Sequence, residues 1–158
     1  MKKIVTFGEI MVRVIPDGFL KFRQVLPGFV KMTFGGAEAN VAASIAYLGG
    51  RSSFVTALPS NDIAEACISQ LKMMGVDVSD ILFTQKGRMG VYYTETGVNQ
   101  RPGRVIYDRD YSSISVTQAE EYDWEKIVDG AGWFHITGIT PALSACSAQA
   151  AIYAVQQA

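Results

Sequence analysis

The chain has 158 residues, 49% hydrophobic and 18% charged, an ordinary globular composition with enough length for one sizeable core. Its 14 basic and 15 acidic residues are not gathered into blocks, which leaves no electrostatic footprint for nucleic acid or an anionic membrane; a small-molecule partner is expected. Cys67 and Cys146 lie far apart with no histidine pair near them, so neither a zinc site nor a disulfide framework is suggested, and both read as buried thiols in a reducing compartment.

Lys2-Lys3 precedes an apolar run, but Glu9 and Arg13 interrupt it before the apolar core of a signal peptide is complete, and a soluble cytoplasmic protein is expected. Ile4 to Gly8 suits a buried strand of a parallel sheet. Glu9 follows at its carboxyl end, where ligands gather in open α/β sheets, and reads either as a site residue or as a solvated loop carboxylate. Met11 to Ile15 is extended, with Val12 and Val14 on one face and Met11, Arg13 and Ile15 on the other. Pro16-Asp17-Gly18 turns the chain, and Phe29 to Phe34 returns as a second extended segment.

Phe34-Gly35-Gly36-Ala37-Glu38-Ala39-Asn40 then turns an extended segment into a helix. Two adjacent glycines open backbone torsions closed to other residues and clear side chains from the approach to a helix start, and Asn40 can both donate and accept there. A glycine pair alone is a plain turn with an asparagine near a cap. Helix is expected from Ala37 to Leu48, with Val41, Ile45 and Leu48 stacked on one face, the small residues Ala42, Ala43 and Ala46 letting it lie close against a sheet, and Gly49-Gly50 ending it. Ser53 to Leu58 reads as a strand and Pro59-Ser60-Asn61-Asp62 as a turn with a cap. A second helix runs to about Met74, its inner stripe Ile63, Cys67, Leu71 and Met74.

Up to this point strand and helix alternate as in a parallel sheet with crossover helices. From Ile81 to Tyr111 the pattern changes to two extended runs, Gly90 to Thr96 and Arg104 to Arg109, joined by a turn-rich loop. Tyr107 and Arg109 are two apart and point the same way, setting a phenol and a guanidinium over one surface. Arginine suits a carboxylate because its planar fork donates two parallel hydrogen bonds. Equally open is a surface ladder in which Arg109 pairs with Asp108, Asp110 or Glu95.

Thr117 to Asp129 reads as short helical turns, mostly at the surface, and Trp133-Phe134-His135-Ile136 as a buried strand. His135 is the only histidine and sits in an apolar run, so a packed, hydrogen-bonded imidazole is expected rather than a base. Gly138 either brings backbone near a ligand or makes the turn. Pro141 starts a last helix, with Ser144 a second candidate cap, and a further strand is expected to follow it.

Several of these stretches together resemble the PfkB or ribokinase-like carbohydrate kinases, and within them the 2-keto-3-deoxygluconate kinases. They are Val5-Thr6-Phe7-Gly8-Glu9, Gly35-Gly36-Ala37-Glu38-Ala39-Asn40-Val41-Ala42, Gly90-Val91-Tyr92-Tyr93, Arg104-Val105-Ile106-Tyr107-Asp108-Arg109, and His135-Ile136-Thr137-Gly138-Ile139-Thr140-Pro141-Ala142-Leu143-Ser144. The resemblance implies a doubly wound, mainly parallel α/β domain over residues 1–158 with a small β-sheet lid formed by about 10–16, 29–34, 89–97 and 104–110. It implies ATP-dependent phosphorylation of a sugar acid, most closely 2-keto-3-deoxygluconate to its 6-phosphate. On that analogy Gly35, Gly36 and Asn40 approach sugar hydroxyls, Tyr92 and Tyr107 line the pocket, and Arg109 holds the carboxylate, with Glu9 and Gly138 as weaker candidates. A carboxylate at Glu38 is compatible with a hydroxylated sugar where it would oppose a phosphate.

The lid of such kinases often packs against a second subunit's lid, so a homo-oligomer is one expectation. The family's catalytic aspartate, in a Gly-Ala-Gly-Asp motif, and its nucleotide pocket belong to the C-terminal half; ATP and Mg²⁺ are expected for a full-length enzyme, and no catalytic residue or metal ligand is expected in this chain. Other expectations stay open: kinases of neutral sugars such as fructose or ribose, or of other keto-deoxy acids, and a non-catalytic fragment or sugar-binding, dimerising remnant. A dinucleotide-binding domain predicts Gly-x-Gly-x-x-Gly after the first strand, and Gly8-Glu9-Ile10-Met11-Val12-Arg13 lacks it.

Overall fold

A computed structural model describes residues 2–158. Strand β1 (Lys3–Phe7) is its axis. β1 pairs in parallel with β4 (Ser52–Val55) on one side and with β9 (Ala131–His135) on the other. The crossover from β1 to β4 carries β2 (Met11–Ile15), the short helix α1 (Phe22–Val25), β3 (Lys31–Gly35) and α2 (Ala37–Tyr47). Alternation splits the two cores across this sheet. Phe54 enters one with Ala39, Ala42, Cys67 and Leu71, whereas Val55 enters the other with Val5, Phe7, Trp124 and Ala154.

The strand expected over Ser53 to Leu58 is two strands. β4 stops at Val55, and β5 (Ala57–Pro59) swings away to pair in parallel with β6 (Leu82–Thr84), a strand that the sequence reading left out. Helix α3 (Asp62–Met73) lies between them, capped by the Asn61 side chain, which accepts from the Ala64 amide at 3.0 Å. Its buried stripe is Ala64, Cys67, Ile68 and Leu71; Ile63 and Met74 are each 44% exposed, one helical position off the expected face. Burial pushes the Cys67 thiol up to about 12, so at neutral pH it stays protonated and shielded. Cys146 is only half-buried, against expectation. Iodoacetamide at pH 8 is therefore expected to label Cys146 and spare Cys67 until the fold is unfolded, read by peptide mass spectrometry.

A second sheet stands apart from the first, in the order β3-β2-β7-β8, with β7 (Val91–Glu95) and β8 (Arg104–Asp108) joined as a hairpin. β2 is antiparallel to β3 and parallel to β7. Val12, Val14, Phe34, Val91 and Tyr93 place one face of this sheet on the α2/α3 core. Its other face carries the row Thr33, Arg13, Tyr92, Tyr107, four residues directly opposite one another across the strands. The period of two leaves no other choice once the apolar face is buried.

After β8 come α4 (Ser113–Val116), a 3-10 turn at Ala119–Glu121, and α5 (Trp124–Val128). This region is not the expected surface stretch. Tyr122, Trp124 and Ile127 are buried, and Phe7 meets the two aromatic rings edge-on at 5.4 and 4.9 Å. Conversely β9 is less buried than expected. It is the outer strand of its sheet among the described residues, and Trp133 is 66% exposed. His135, half-buried opposite Thr6, has no hydrogen-bond partner at Nε2, contrary to the bonded imidazole expected of it. A 3-10 turn at Thr140–Ala142 precedes α6 (Ala145–Gln157), whose cap is Ser144, accepting from the Ser147 amide at 3.0 Å.

Candidate functional site

Helix α2 places the site. Only Glu38, Ala39 and Ala42 of its 11 residues are buried, so small residues, the expected Ala42 among them, face the sheet, while Val41 and Ile45 are half-buried and Leu48 is 83% exposed. Small side chains let the helix approach closely, and Ser52 Oγ donates to the Ala42 carbonyl at 2.8 Å. At its start Gly36 is the cap residue, with φ −164 and ψ 142, and no side chain caps the first amides. That is extended backbone open to any residue, so the expected torsional reason for the glycine pair does not hold. Close approach is the reason. A Cβ on Gly36 would collide with the Glu9 carbonyl oxygen, and one on Gly35 with the Tyr92 hydroxyl.

The consequences of the two positions differ. Backbone cannot step aside, so Gly36→Ala should force α2 and the Glu9 loop apart at about 1–3 kcal/mol. Gly35→Ala displaces only the end of one flexible side chain and should leave stability within about 0.5 kcal/mol while turning Tyr92 out of place. Urea unfolding of both variants, beside ligand titration, checks the contrast.

Glu38, in the first turn of α2, borders the cavity beside the helix start, but its Oε1 is committed to the protein. It is buried, and its Oε1 accepts from the Thr137 amide at 3.0 Å, Thr137 Oγ1 at 2.6 Å and Thr140 Oγ1 at 2.9 Å. The loop after β9 is thereby fixed to the helix start. Gly8 makes room for it, since a Cβ there would overlap the Glu38 carboxylate.

Between the start of α2 and the outward face of the second sheet lies a cavity of about 300 Å³. Gly35, Gly36 and Asn40 line one wall; Tyr92, Tyr107 and Arg109 line the opposite one, with Glu9 at the base. Met11, Ala37, Glu38 and Ile139 line it too; the sequence reading missed Met11, Ala37 and Ile139, although Met11 shares a strand face with Arg13. Gly138 does not reach this cavity. It borders an adjoining open groove of about 770 Å³ that shares Arg109 and Ile139 with it.

Tyr92 and Tyr107 stand 6.1 Å apart between ring centres, and the Arg109 guanidinium lies 5.5 Å from the Tyr107 ring centre. Burial raises the Tyr92 phenol above its ordinary value, with the Arg13 guanidinium pulling it back, so the hydroxyl stays protonated and available as a donor at neutral pH. None of the three partners expected for a surface ladder holds Arg109. Asp108 is taken by Arg88 and Glu95 by the Phe22 amide, while Arg109 forms its ion pair with Glu9. Among the described residues no group of three or more His, Cys, Asp or Glu is arranged to hold a metal ion, and no helix is long and apolar enough to cross a membrane.

A family model described as pfkB family carbohydrate kinase matches residues 1–158, the whole chain. The chain belongs to the pfkB family of carbohydrate kinases. Among solved structures, the 2-dehydro-3-deoxygluconokinase of Thermotoga maritima is 43% identical and superposes with a TM-score of 0.94, over 99% of this chain and 47% of that one. Among curated relatives, the 2-dehydro-3-deoxygalactonokinase of Haloferax volcanii is 32% identical over 90% of this chain and 43% of its own length. The 2-dehydro-3-deoxygluconokinase of Bacillus subtilis is 31% identical over 89% and 43% respectively. This pfkB-family chain thus has the mixed α/β, ribokinase-like fold with its parallel sheet, and it spans less than half the length of these relatives.

Proposed function

We propose that these residues form the sugar-acid-binding part of a phosphotransferase acting on 2-keto-3-deoxygluconate or a close keto-deoxy acid. One observation carries the reading: the glycine-opened helix start and the tyrosine-arginine face line a single cavity of about 300 Å³. Unpaired amides at the start of α2 and the Asn40 side chain suit hydroxyl groups, and Gly36 keeps that wall free of a side chain. Tyr92 and Tyr107 cover the carbon skeleton and offer two phenol groups. Arg109, braced by the Tyr107 ring, supplies the positive charge for the carboxylate. The second sheet acts as the lid that excludes water above the sugar.

ATP, as the phosphoryl donor, with Mg²⁺ would supply the transferred group and the charge neutralisation in the full-length protein. The chain spans less than half the length of the curated relatives it matches, and its 158 residues contain no Gly-Ala-Gly-Asp. Binding, rather than turnover, is therefore the property assigned to this chain. Titration calorimetry with 2-keto-3-deoxygluconate and with fructose tests the reading. The acid should bind more tightly by about tenfold or more, and equal affinity would replace the sugar acid with a neutral ketose as the substrate.

A further inference from the structure

Arg109 is not a free cation. Its Nη2 donates to Glu9 Oε2, tying the residue just after β8 to the loop that follows β1 across 100 residues of sequence. The Glu9 side chain is 4% exposed, and that of Arg109 23%. The second carboxylate oxygen, Glu9 Oε1, is shut off from solvent without a hydrogen-bond partner, as is Arg109 Nε. Buried polar atoms are rarely left unmatched, and an ionised oxygen is an expensive one to leave so. Gly90 packs against the pair with no room to spare: a Cβ at that position would stand 3.0 Å from Met11 Cγ, 3.1 Å from Glu9 Oε1 and 3.4 Å from Arg109 Cβ. Glu9 and Arg109 both line the cavity.

We propose that Glu9 is the residue that selects among acids at this cavity, by neutralising Arg109 toward bare anions and presenting its carboxylate, one oxygen of which no protein group satisfies, to a hydroxyl of the ligand. The inference rests on the reading of Arg109 as the carboxylate contact. A small carboxylate approaching Arg109 also approaches the Glu9 charge, so attraction and repulsion largely cancel. A ligand that brings a hydroxyl as well gains a charge-assisted hydrogen bond at the Glu9 carboxylate, which restores the balance. Carboxylate and hydroxyl must then arrive on one molecule, and the site rejects the small anions abundant around it by repulsion as much as by fit.

Calorimetric titration with pyruvate and with 2-keto-3-deoxygluconate separates the two effects, because pyruvate has the same α-keto carboxylate head and no hydroxylated tail. The native chain should favour the hydroxylated acid by about tenfold or more, and Glu9→Gln should narrow that ratio to about threefold or less, strengthening pyruvate while weakening the other. Glu9→Asp keeps the charge but draws it back from the ligand; it should give an intermediate ratio, and it carries the test alone if Glu9→Gln fails to fold. A ratio unchanged in the folded variants, with the native chain still binding the hydroxylated acid, overturns the inference and leaves the sugar-acid reading standing. A native chain that binds neither compound overturns both.

Discussion

Glu38→Ala should destabilise the fold by about 3 to 5 kcal/mol, among the largest effects expected of a single substitution in this chain. The residue is buried and accepts three hydrogen bonds on one oxygen, from the Thr137 amide and the hydroxyls of Thr137 and Thr140. Alanine would leave these donors unmatched, each at about 1 to 3 kcal/mol and not additively. It would also empty the volume beside Gly8 that the carboxylate fills. With a denaturant slope of about 2 kcal/mol/M, the urea midpoint should fall by about 1.5 to 2.5 M. Glu38→Gln retains one carbonyl acceptor and should lose less than alanine. An alanine variant within about 0.5 kcal/mol of the native chain would mean that the loop after β9 is held by something other than Glu38.

Arg109→Met should weaken binding of 2-keto-3-deoxygluconate by about 2 to 5 kcal/mol, the usual loss when one member of a desolvated charge pair is removed. Methionine keeps much of the side chain's length and its contact with the Tyr107 ring while deleting the charge. Glu9 then remains in the cavity with no cation beside it, so an incoming carboxylate meets net repulsion. Fructose, which has no carboxylate, should bind with an affinity changed by less than about threefold. The pair of titrations isolates charge from shape, and a urea curve on the same variant shows whether the lid has stayed folded. Equal losses for both ligands would assign Arg109 to bracing the second sheet through Glu9 and remove it from ligand contact.

Local signals carried a good deal of this fold. Alternation placed Val12 and Val14 on the inner face of β2 and Arg13 on the outer one, and the period of two set Tyr107 and Arg109 on a common surface. Asn61 and Ser144 were readable as caps from residue type and position. What escaped the sequence was decided by distant partners. Ala42 packs against β4 as its size suggested, but the same close approach leaves Leu48, stacked with Val41 and Ile45 in the sequence, 83% exposed. The strand over Ser53 to Leu58 breaks because β5 finds β6 rather than continuing beside β1.

The candidate cavity shows the same division. Its glycines and tyrosines stood in recognisable stretches, and the residues lie together around one space. The charge pattern within it was not readable. Glu9 is the partner of Arg109 from 100 positions away, in preference to the acids at 108 and 110 beside it, and Glu38, on the cavity wall, commits its Oε1 to the Thr137 loop. No spacing rule encodes either choice, since both follow from how β1, α2 and the second sheet meet.

Backbone amide shifts of the ¹⁵N-labelled chain, recorded as 2-keto-3-deoxygluconate is added, test the shared cavity most directly. The largest movements should fall on both walls together, at Gly35, Gly36 and Asn40 and at Tyr92, Tyr107 and Arg109. Movements confined to the groove around Gly138 and Leu143, or no saturable movement at any concentration, would contradict it.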